Sequence, residues 1–426
     1  MNQLSLGSAG AQVQLLQLAL RRAGFDPGAL DGAFGPRTAA ALRAFQRANG
    51  LAADGIAGAR THAALRPWYT GYAVRVVRPG DSFYRLARQW GSTIRAIETA
   101  NPGVIPTALQ PGQRLVIPLG FPVTPTEIDW CAALVSFCCE GLAARYPFIT
   151  RGSIGQSVLG APVELLRMGT GPFRVLWNAA HHANEWLTTP LLLRYAEALA
   201  AARALDESIG GQSARELLEG ATLALIPCVN PDGMDLVTGA LTAGPAYAAA
   251  RRIAAAFPGI PFPEGWKANI LGTDLNLQYP ARWERAREIK YSQGFTRPAP
   301  RDYVGSEPLS APESAALYRY TLSFSPALTL SYHTQGEVIY WKYLDYEPEG
   351  SRTRADRFAA ASGYAVEETP YASGFAGYKD WYIQEFNRPG YTIEAGLGTN
   401  PLPLTEFQEI YGENLGILTE SLVPFA

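Results

Sequence analysis

The chain has 426 residues, 47% of them hydrophobic and 17% charged, and a formal net charge of −2 at pH 7. That length exceeds one ordinary domain and predicts roughly two to four, with enough apolar residue to bury a sizeable core. The near-neutral charge gives no electrostatic basis for a nucleic-acid or anionic-membrane partner. No run of about 18 uninterrupted apolar residues occurs, so membrane insertion is not expected. Four cysteines, Cys131, Cys138, Cys139 and Cys228, are too few and too unevenly spaced for a disulfide framework or a thiolate zinc site. Cys131 and Cys138 lie on an apolar helical pattern and are expected to pack in the core.

Residues 1–66 hold a degenerate repeat. Asp31-Gly32-Ala33-Phe34-Gly35-Pro36-Arg37-Thr38 is echoed by Asp54-Gly55-Ile56-Ala57-Gly58-Ala59-Arg60-Thr61. Each Asp-Gly is a turn signal, and each Thr is placed to cap a following helix, predicted at 39–49 and 62–65. With a helix over 11–23 this makes a three-helix unit whose core is Val13, Leu16, Leu20, Leu42, Phe45 and Leu51. Through Gly10, Val13, Leu16-Gln17, Asp31-Gly32, Phe34-Gly35, Thr38, Phe45-Gln46, Asp54-Gly55 and Gly58 the unit resembles the peptidoglycan-binding domain family. Arg66-Pro67-Trp68-Tyr69-Thr70-Gly71 reads as a linker.

Residues 72–118 run strand, helix, helix, strand. Val74-Arg75-Val76-Val77 alternates, and Pro79-Gly80-Asp81-Ser82 turns into a helix over 83–90 capped by Asp81 or Ser82. A second helix over 93–100 is closed by Asn101-Pro102-Gly103, and Gln113 to Pro118 is the return strand. Gly80-Asp81-Ser82, Leu86-Ala87, Ile97, Asn101-Pro102 and Leu115-Val116-Ile117-Pro118 resemble a LysM domain. The resemblance implies that N-acetylglucosamine-containing glycan binds between two loops, Gly80, Asp81, Ser82 and Phe83 on one side and Asn101, Pro102, Gly103, Val104 and Ile105 on the other. Two weak polymer-binding modules on one chain raise avidity, because the second contact becomes intramolecular.

From 124 to 426 helices alternate with apolar strands. Helices are predicted at 127–146, 187–202, 351–361 and 378–386, and strands at 163–167, 173–177, 221–227, 327–332, 337–342 and 390–394, with a long irregular stretch between 227 and 327. This is an α/β sandwich with a mixed sheet. His181-His182-Ala183-Asn184-Glu185-Trp186 falls at a strand-to-helix corner, where His182 and Glu185, three apart, can converge on one metal ion of the kind zinc sites use. Histidine is scarce: His62 belongs to the small helical unit, leaving His181, His182 and His333. His333 follows a strand, so His182, Glu185 and His333 form a set with an open fourth position, as in a hydrolytic zinc site. Glu394 ends a strand, and is either exposed or directed at the metal.

The ordered motifs Asn178 to Trp186, Asn230-Pro231-Asp232-Gly233, Gly272-Thr273-Asp274-Leu275-Asn276, Ser331-Tyr332-His333 and Tyr391-Thr392-Ile393-Glu394 resemble the zinc carboxypeptidase family. The resemblance implies one Zn²⁺ per chain held by His182, Glu185 and His333. Glu394 corresponds to the general base that passes a proton from water to the leaving amine, and Asp274 to the acid that orients the first histidine. His181 competes with His182 for the ligand role, but only His182 has the three-residue spacing to Glu185. Asn184 and Asn276 correspond to substrate-binding positions, and Tyr371 to a mobile catalytic tyrosine, with a one-residue offset from Asp380-Trp381.

Three departures narrow the reading. Lys267 stands where the digestive enzymes have an arginine that polarises the scissile carbonyl; it can stabilise an oxyanion as a point charge. Leu277 replaces the arginine that clamps a substrate's terminal carboxylate in two parallel hydrogen bonds. Lys379 occupies the specificity position and favours an anionic group after the cut. Trp266 to Ala281 with Gly377-Tyr378-Lys379-Asp380-Trp381 resembles a narrower group, bacterial γ-D-glutamyl-meso-diaminopimelate peptidases.

The expectation is a zinc peptidoglycan hydrolase that cuts the γ-D-Glu-diaminopimelate bond of wall stem peptides. The alternatives are a DL-carboxypeptidase trimming terminal diaminopimelate and a non-catalytic wall-binding scaffold. Met1 to Gly10 lacks the basic start and apolar core of a secretory signal. The expected location in a bacterium is therefore the cytoplasm, in fragment recycling or sporulation, or the wall, reached by an unrecognised route.

Overall fold

Two glutamines organise the amino-terminal helices α1 (Ala11–Arg22), α2 (Pro36–Ala48) and α3 (Ala59–Thr70). Gln17 Nε2 donates to Asp31 Oδ1, the Ala33 carbonyl and Thr38 Oγ1 at 3.0, 3.1 and 3.2 Å, and its Oε1 accepts from the Gly32 amide at 3.0 Å. Gln46 makes the same four bonds to Asp54, Ile56, Thr61 and Gly55 at 2.9, 3.0, 3.2 and 3.0 Å. The sequence repeat is thus a repeat of one buried polar clasp. It also corrects the predicted caps: the helices start earlier, behind Gly35 and Gly58. Thr38 and Thr61 lie within the first turns and point inward to the glutamines instead of capping.

The predicted linker after Leu65 is also helix. α3 continues through Pro67 to Thr70 and ends at Gly71, whose φ of 74° is in the left-handed region. An interior proline costs about 3 kcal/mol, and burial of Leu65 and of Tyr69, stacked on Phe137 at 5.0 Å, offsets it. The next module pairs β1 (Tyr72–Val76) antiparallel with β2 (Arg114–Pro118) around α4 (Phe83–Trp90) and α5 (Ile94–Ala100). Ser82 caps α4, accepting from the Arg85 amide, and Thr93 caps α5. Phe83, Leu86, Ile97, Leu115 and Ile117 form its core. Of the loop residues expected to face glycan, Phe83 is buried in that core. Asn101 is buried too, bonded to the Ile97 carbonyl and to both polar groups of Val116. Ile105 is exposed.

The structure, a computed structural model, describes residues 1–425, and its chain divides into units Met1–Arg151 and Gly152–Ala426. Helix α6 (Ala132–Arg145) therefore packs with the first unit, although the sequence reading placed it, from 127, in the large domain. The contact with α3 is close enough that a Cβ on Gly141 would meet the Thr70 carbonyl oxygen at 2.0 Å.

The second unit is built on an eight-stranded sheet of order β11-β10-β12-β9-β5-β8-β4-β3. In chain order its elements are β3 (Thr150–Gln156), β4 (Pro162–Gly169), β5 (Phe173–Ala179), α7 (Thr188–Leu205), a ribbon of β6 (Ser208–Ile209) and β7 (Gln212–Ser213), α8 (Ala214–Gly220) and β8 (Ala221–Ile226). Then come α9 (Pro231–Val237), α10 (Gly244–Ala255), α11 (Trp283–Ser292), α12 (Pro312–Phe324), β9 (Leu328–His333), β10 (Val338–Tyr340), α13 (Ser351–Ser362), β11 (Ala365–Glu367), α14 (Tyr378–Phe386), β12 (Gly390–Glu394) and α15 (Phe407–Glu420). The stretch read as irregular contains α9 to α12, short helices separated by Pro- and Gly-rich loops that interrupt any long periodic pattern.

The sheet is mixed, as expected. β5, β8, β9 and β12 run parallel, while β4 and β10 are antiparallel to their neighbours β8 and β12. Every residue of β9 is buried, as for a central parallel strand covered on both faces.

Truncating either clasp leaves two buried groups without their glutamine partner, the Gly32 amide and Thr38 hydroxyl or the Gly55 amide and Thr61 hydroxyl, each worth about 1–3 kcal/mol. Gln17→Ala and Gln46→Ala in the full chain should each lower the unfolding transition of the first unit and leave that of the second in place. Scanning calorimetry would check this; an unmoved first transition would contradict the clasp's role.

Candidate metal centre

Because β5, β9 and β12 are parallel neighbours, their carboxyl ends emerge at one edge of the sheet. The loop after β5 carries His181 to Glu185, β9 ends in His333, and β12 ends in Glu394, which is in register with His333. Sheet topology thus brings together groups far apart in the chain.

The corner after β5 is not the first turn of an α-helix. Ala180 adopts a φ of 52°, and Ala183–Glu185 form a 3₁₀ turn ahead of α7. In a 3₁₀ turn side chains three apart eclipse, and His182 Nδ1 lies 2.9 Å from Glu185 Oε1. His333 Nδ1 is 2.9 Å from Glu185 Oε2 and 3.3 Å from His182 Nδ1. Ligand atoms of all three residues fall within 4.8 Å of one another. Two nitrogens bound about 2.1 Å from one tetrahedral Zn²⁺ sit roughly 3.4 Å apart, so the two rings are spaced as a shared ion requires.

The outer groups fit the same reading. His182 Nε2 is 3.2 Å from Asp274 Oδ1. A carboxylate there requires Nε2 to carry the proton, which leaves the Nδ1 lone pair facing Glu185 and His333. Asp274 is itself fixed, accepting from the Asn276 and Asp302 amides at 3.1 and 3.0 Å. Glu185, 1% exposed, accepts from Lys267 Nζ at 2.7 Å and from the Thr334 amide at 3.3 Å. Burial works against the charge of His182, but Glu185 and then Asp274 outweigh it and raise its pKa to about 9. Burial also pushes the Glu394 carboxyl up, and Glu185 adds to this against the opposing pull of His333. His181 lies behind the site, fully buried, 3.0 Å from the Tyr279 hydroxyl. Burial, reinforced by His333, holds it well below the usual imidazole range, so it stays neutral.

A cleft of about 230 Å³ opens in front of these groups, lined by His182, His333, Lys267, Asp274, Asn276, Leu277, Lys379 and Glu394 among others. Glu185 lies buried behind the cleft surface, and two expected site residues, Asn184 and Tyr371, are directed elsewhere. Asn184 turns away and donates to the Glu264 carbonyl at 3.1 Å, because the short 3₁₀ turn rotates it off the cleft side. Tyr371 is 61% exposed in a separate turn and lines a neighbouring cavity, with its hydroxyl accepting from Arg285 Nε at 3.1 Å. Lys379 does reach the cleft but is not a free cation. Its ammonium donates to the Lys342 carbonyl at 2.7 Å and to Asp380 at 2.6 Å. Asn276 accepts from the Tyr378 amide at 3.0 Å, joining the Asp274 segment to α14.

Sequence reading missed Thr334, Asn400, Lys290, Arg301 and Asp302. Asn400 donates to the Thr334 carbonyl at 2.8 Å, bracing the amide that meets Glu185, and the other three line the cleft. Nothing in their spacing announces them, since they come from four segments far apart in the chain: the end of β9, the loop after β12, helix α11 and the Arg301-Asp302 loop. Asn230 of the Asn-Pro-Asp-Gly motif has a structural role that its motif does not reveal. It donates to the His181 and Ala268 carbonyls at 3.1 and 3.0 Å, tying the corner to the Lys267 loop.

Three models of known domain families match the chain. The zinc carboxypeptidase family model matches residues 136–415, a peptidoglycan binding domain model residues 9–65, and the LysM domain model residues 76–118. The chain is 42% identical over 282 residues to gamma-D-glutamyl-L-diamino acid endopeptidase 1 of Lysinibacillus sphaericus, covering 66% of this chain and 69% of that protein. It is 39% identical over 280 residues to the uncharacterized protein YqgT of Bacillus subtilis (strain 168), covering 65% and 73%. Among solved structures, bovine thrombin-activatable fibrinolysis inhibitor aligns with a TM-score of 0.54 at 16% identity, over 69% of this chain and 96% of that one. Carboxypeptidase A of Helicoverpa armigera aligns at 0.52 and 17%, over 83% and 98%. At such identities the structures speak for the fold alone.

Dialysed protein should hold one zinc per chain by atomic absorption, and His333→Ala should hold none. Asp274→Ala should weaken zinc binding by about 10–100-fold. The ion must displace a proton from His182, so affinity should fall by about tenfold per pH unit as pH drops below about 9. Chelator competition at several pH values would measure this, and a pH-independent affinity would contradict the ligand assignment.

Proposed function

The chain belongs to the zinc carboxypeptidase family, and from that premise we propose that it hydrolyses the γ-D-glutamyl-diaminopimelate bond of peptidoglycan stem peptides. The observation that carries this reading is Leu277. It lines the cleft beside Asn276, where a carboxypeptidase clamp would place a guanidinium. Without that fork a free chain terminus is not required after the cut, which suits an endopeptidase. The 42% identical relative, named as a γ-D-glutamyl-L-diamino acid endopeptidase, supports the same substrate class.

His182, Glu185 and His333 would hold the zinc. When bound there, the ion supplies Lewis acidity for amide hydrolysis. Glu394 borders the cleft, and its raised pKa makes it a stronger base than an exposed glutamate. It takes the proton of the attacking water as the new C–O bond forms, and returns it to the diaminopimelate nitrogen as the C–N bond breaks. Lys267, with its side chain 18% exposed, places a fixed positive charge beside the ligands. There it offsets negative charge developing on the carbonyl oxygen.

The amino-terminal modules are read as tethers that hold the enzyme on glycan and raise the local substrate concentration. No helix among the described residues is long and apolar enough to cross a membrane.

Incubation of the zinc-loaded protein with L-Ala-γ-D-Glu-meso-diaminopimelate should release L-Ala-D-Glu and diaminopimelate, read by mass spectrometry. A tetrapeptide extended by D-Ala should be cut at the same bond. Cleavage of the tripeptide alone would instead favour a carboxypeptidase. Glu394→Gln should keep its zinc and lose about 10²–10⁴-fold in kcat; undiminished turnover would overturn the base assignment. The inactive Glu394→Gln chain should sediment with purified sacculi, and N-acetylglucosamine oligomers should compete for it.

A further inference from the structure

One guanidinium in the cleft has no counterpart in the family motifs. Arg301 lines it together with Asp302 and Lys290. Arg301 Nε donates to Asp302 Oδ2 at 2.6 Å, and Lys290 Nζ lies 2.6 Å from Asp302 Oδ1. Two cations thus share one carboxylate, leaving one net positive charge. Lys379 and Asp380, by contrast, pair one to one at 2.6 Å. The Arg301 side chain is 44% exposed, and its two terminal nitrogens make no hydrogen bond among the described residues.

The loop that carries it is firmly held. The Lys267 and Ala268 amides both donate to the Pro300 carbonyl, at 2.8 and 2.9 Å. The Asp302 amide donates to Asp274 at 3.0 Å, and the Asp274 amide to the Tyr303 carbonyl at 2.8 Å. Asp302 sits at a φ of 64°, a left-handed conformation uncommon for a side-chain-bearing residue and maintained here by these bonds. A guanidinium with two unused donors on a fixed loop is built to receive a planar anion.

Its place decides which anion. The Arg301 loop is bonded directly to the Lys267 loop, and Lys267 is the group assigned to the scissile carbonyl, so Arg301 stands beside the acyl half of the substrate. In a γ-linked glutamyl residue that half carries a free α-carboxylate, four bonds from the scissile carbon and roughly 5 Å away when extended. An ordinary peptide has an uncharged amide there. Resting on the function proposed above, we infer that Arg301 binds the α-carboxylate of the D-glutamyl residue and selects γ-linked, non-amidated stem peptides. Arg301 thus reads the residue before the cut, whereas Lys379 occupies the position expected to read the residue after it.

The experiment compares three tripeptides: L-Ala-γ-D-Glu-meso-diaminopimelate, the same peptide with the glutamyl α-carboxyl as carboxamide, and the same peptide with the distal diaminopimelate carboxyl as carboxamide. Each is assayed with the wild-type full chain, Arg301→Ala and Arg301→Lys, after zinc content is matched. The wild type should prefer the α-carboxylate over the α-carboxamide by about 10–100-fold in kcat/KM, the range of a charge-assisted pair. Arg301→Ala should lose that factor on the carboxylate peptide, with a far smaller change on the α-carboxamide peptide, bringing the ratio near one. Arg301→Lys should keep part of the preference.

Equal wild-type cleavage of the first two peptides would overturn the inference, as would an Arg301→Ala loss shared by all three. A loss of discrimination confined to the diaminopimelate carboxamide would move Arg301 to the other side of the cut and overturn it too. Wild-type protein that cleaves none of the peptides would overturn the proposed function, and this inference with it. Cleavage without discrimination overturns the inference alone.

Discussion

The buried carboxylate of Glu185 is the constraint around which the large domain is arranged. It is 1% exposed, and a charge so placed is tolerated only when positive charge and hydrogen-bond donors surround it. The chain brings His182, Lys267 and the adjacent pair of His333 and the Thr334 amide to it from three different segments. Two imidazoles whose Nδ1 atoms face each other at 3.3 Å add a second demand, since two lone pairs cannot face each other without a cation between them. In the absence of metal a proton on His182 meets that demand, and its raised pKa expresses the need. His182, Glu185 and His333 would hold a divalent ion there and leave it an open position for chemistry.

Around this centre the charges are graded by how completely they are paired. Asp274 is bonded on both oxygens, and Lys379 is paired with Asp380. Arg301 and Lys290 divide one carboxylate between them. The cleft therefore offers positive charge near Lys267, an apolar surface at Leu277 and a near-neutral pair at Lys379. Such a surface reads a substrate by where its carboxylates lie along the peptide, and not by a free terminus.

The first unit uses a different economy. Its small modules depend on individual polar residues that take the place of a large core: Gln17 and Gln46 in the helical repeat, Asn101 in the strand-helix-helix-strand module. A 50-residue module buries little apolar area, so a fully satisfied buried amide contributes a correspondingly large share of its stability. That is why the residues most visible in the repeat, the Asp-Gly pairs and the threonines, prove to be partners of two glutamines.

Much of this was legible in the chain. The His182 to Glu185 spacing, the scarcity of histidine, the strand ends at His333 and Glu394, and the Asp-Gly repeat are local patterns, and local patterns survive in a linear sequence. The bounds of α14 and β12 are legible to the residue because Gly377, Asn387 and Gly390 are turn signals that mark their ends. The structure alone decided the directions of Asn184 and Tyr371, the pairing of Lys379, the continuation of α3 through Pro67 and the presence of Arg301 in the cleft. Each of these depends on what a side chain meets across tens or hundreds of residues, and composition and periodicity carry no record of such meetings. The sequence by itself determined a corner with the spacing of metal ligands, at His182 and Glu185, and the kind of chemistry such a corner suits. Only the tertiary structure decided which charges around that corner are already neutralised and which remain to meet a substrate, because neutralisation is a property of neighbours in space.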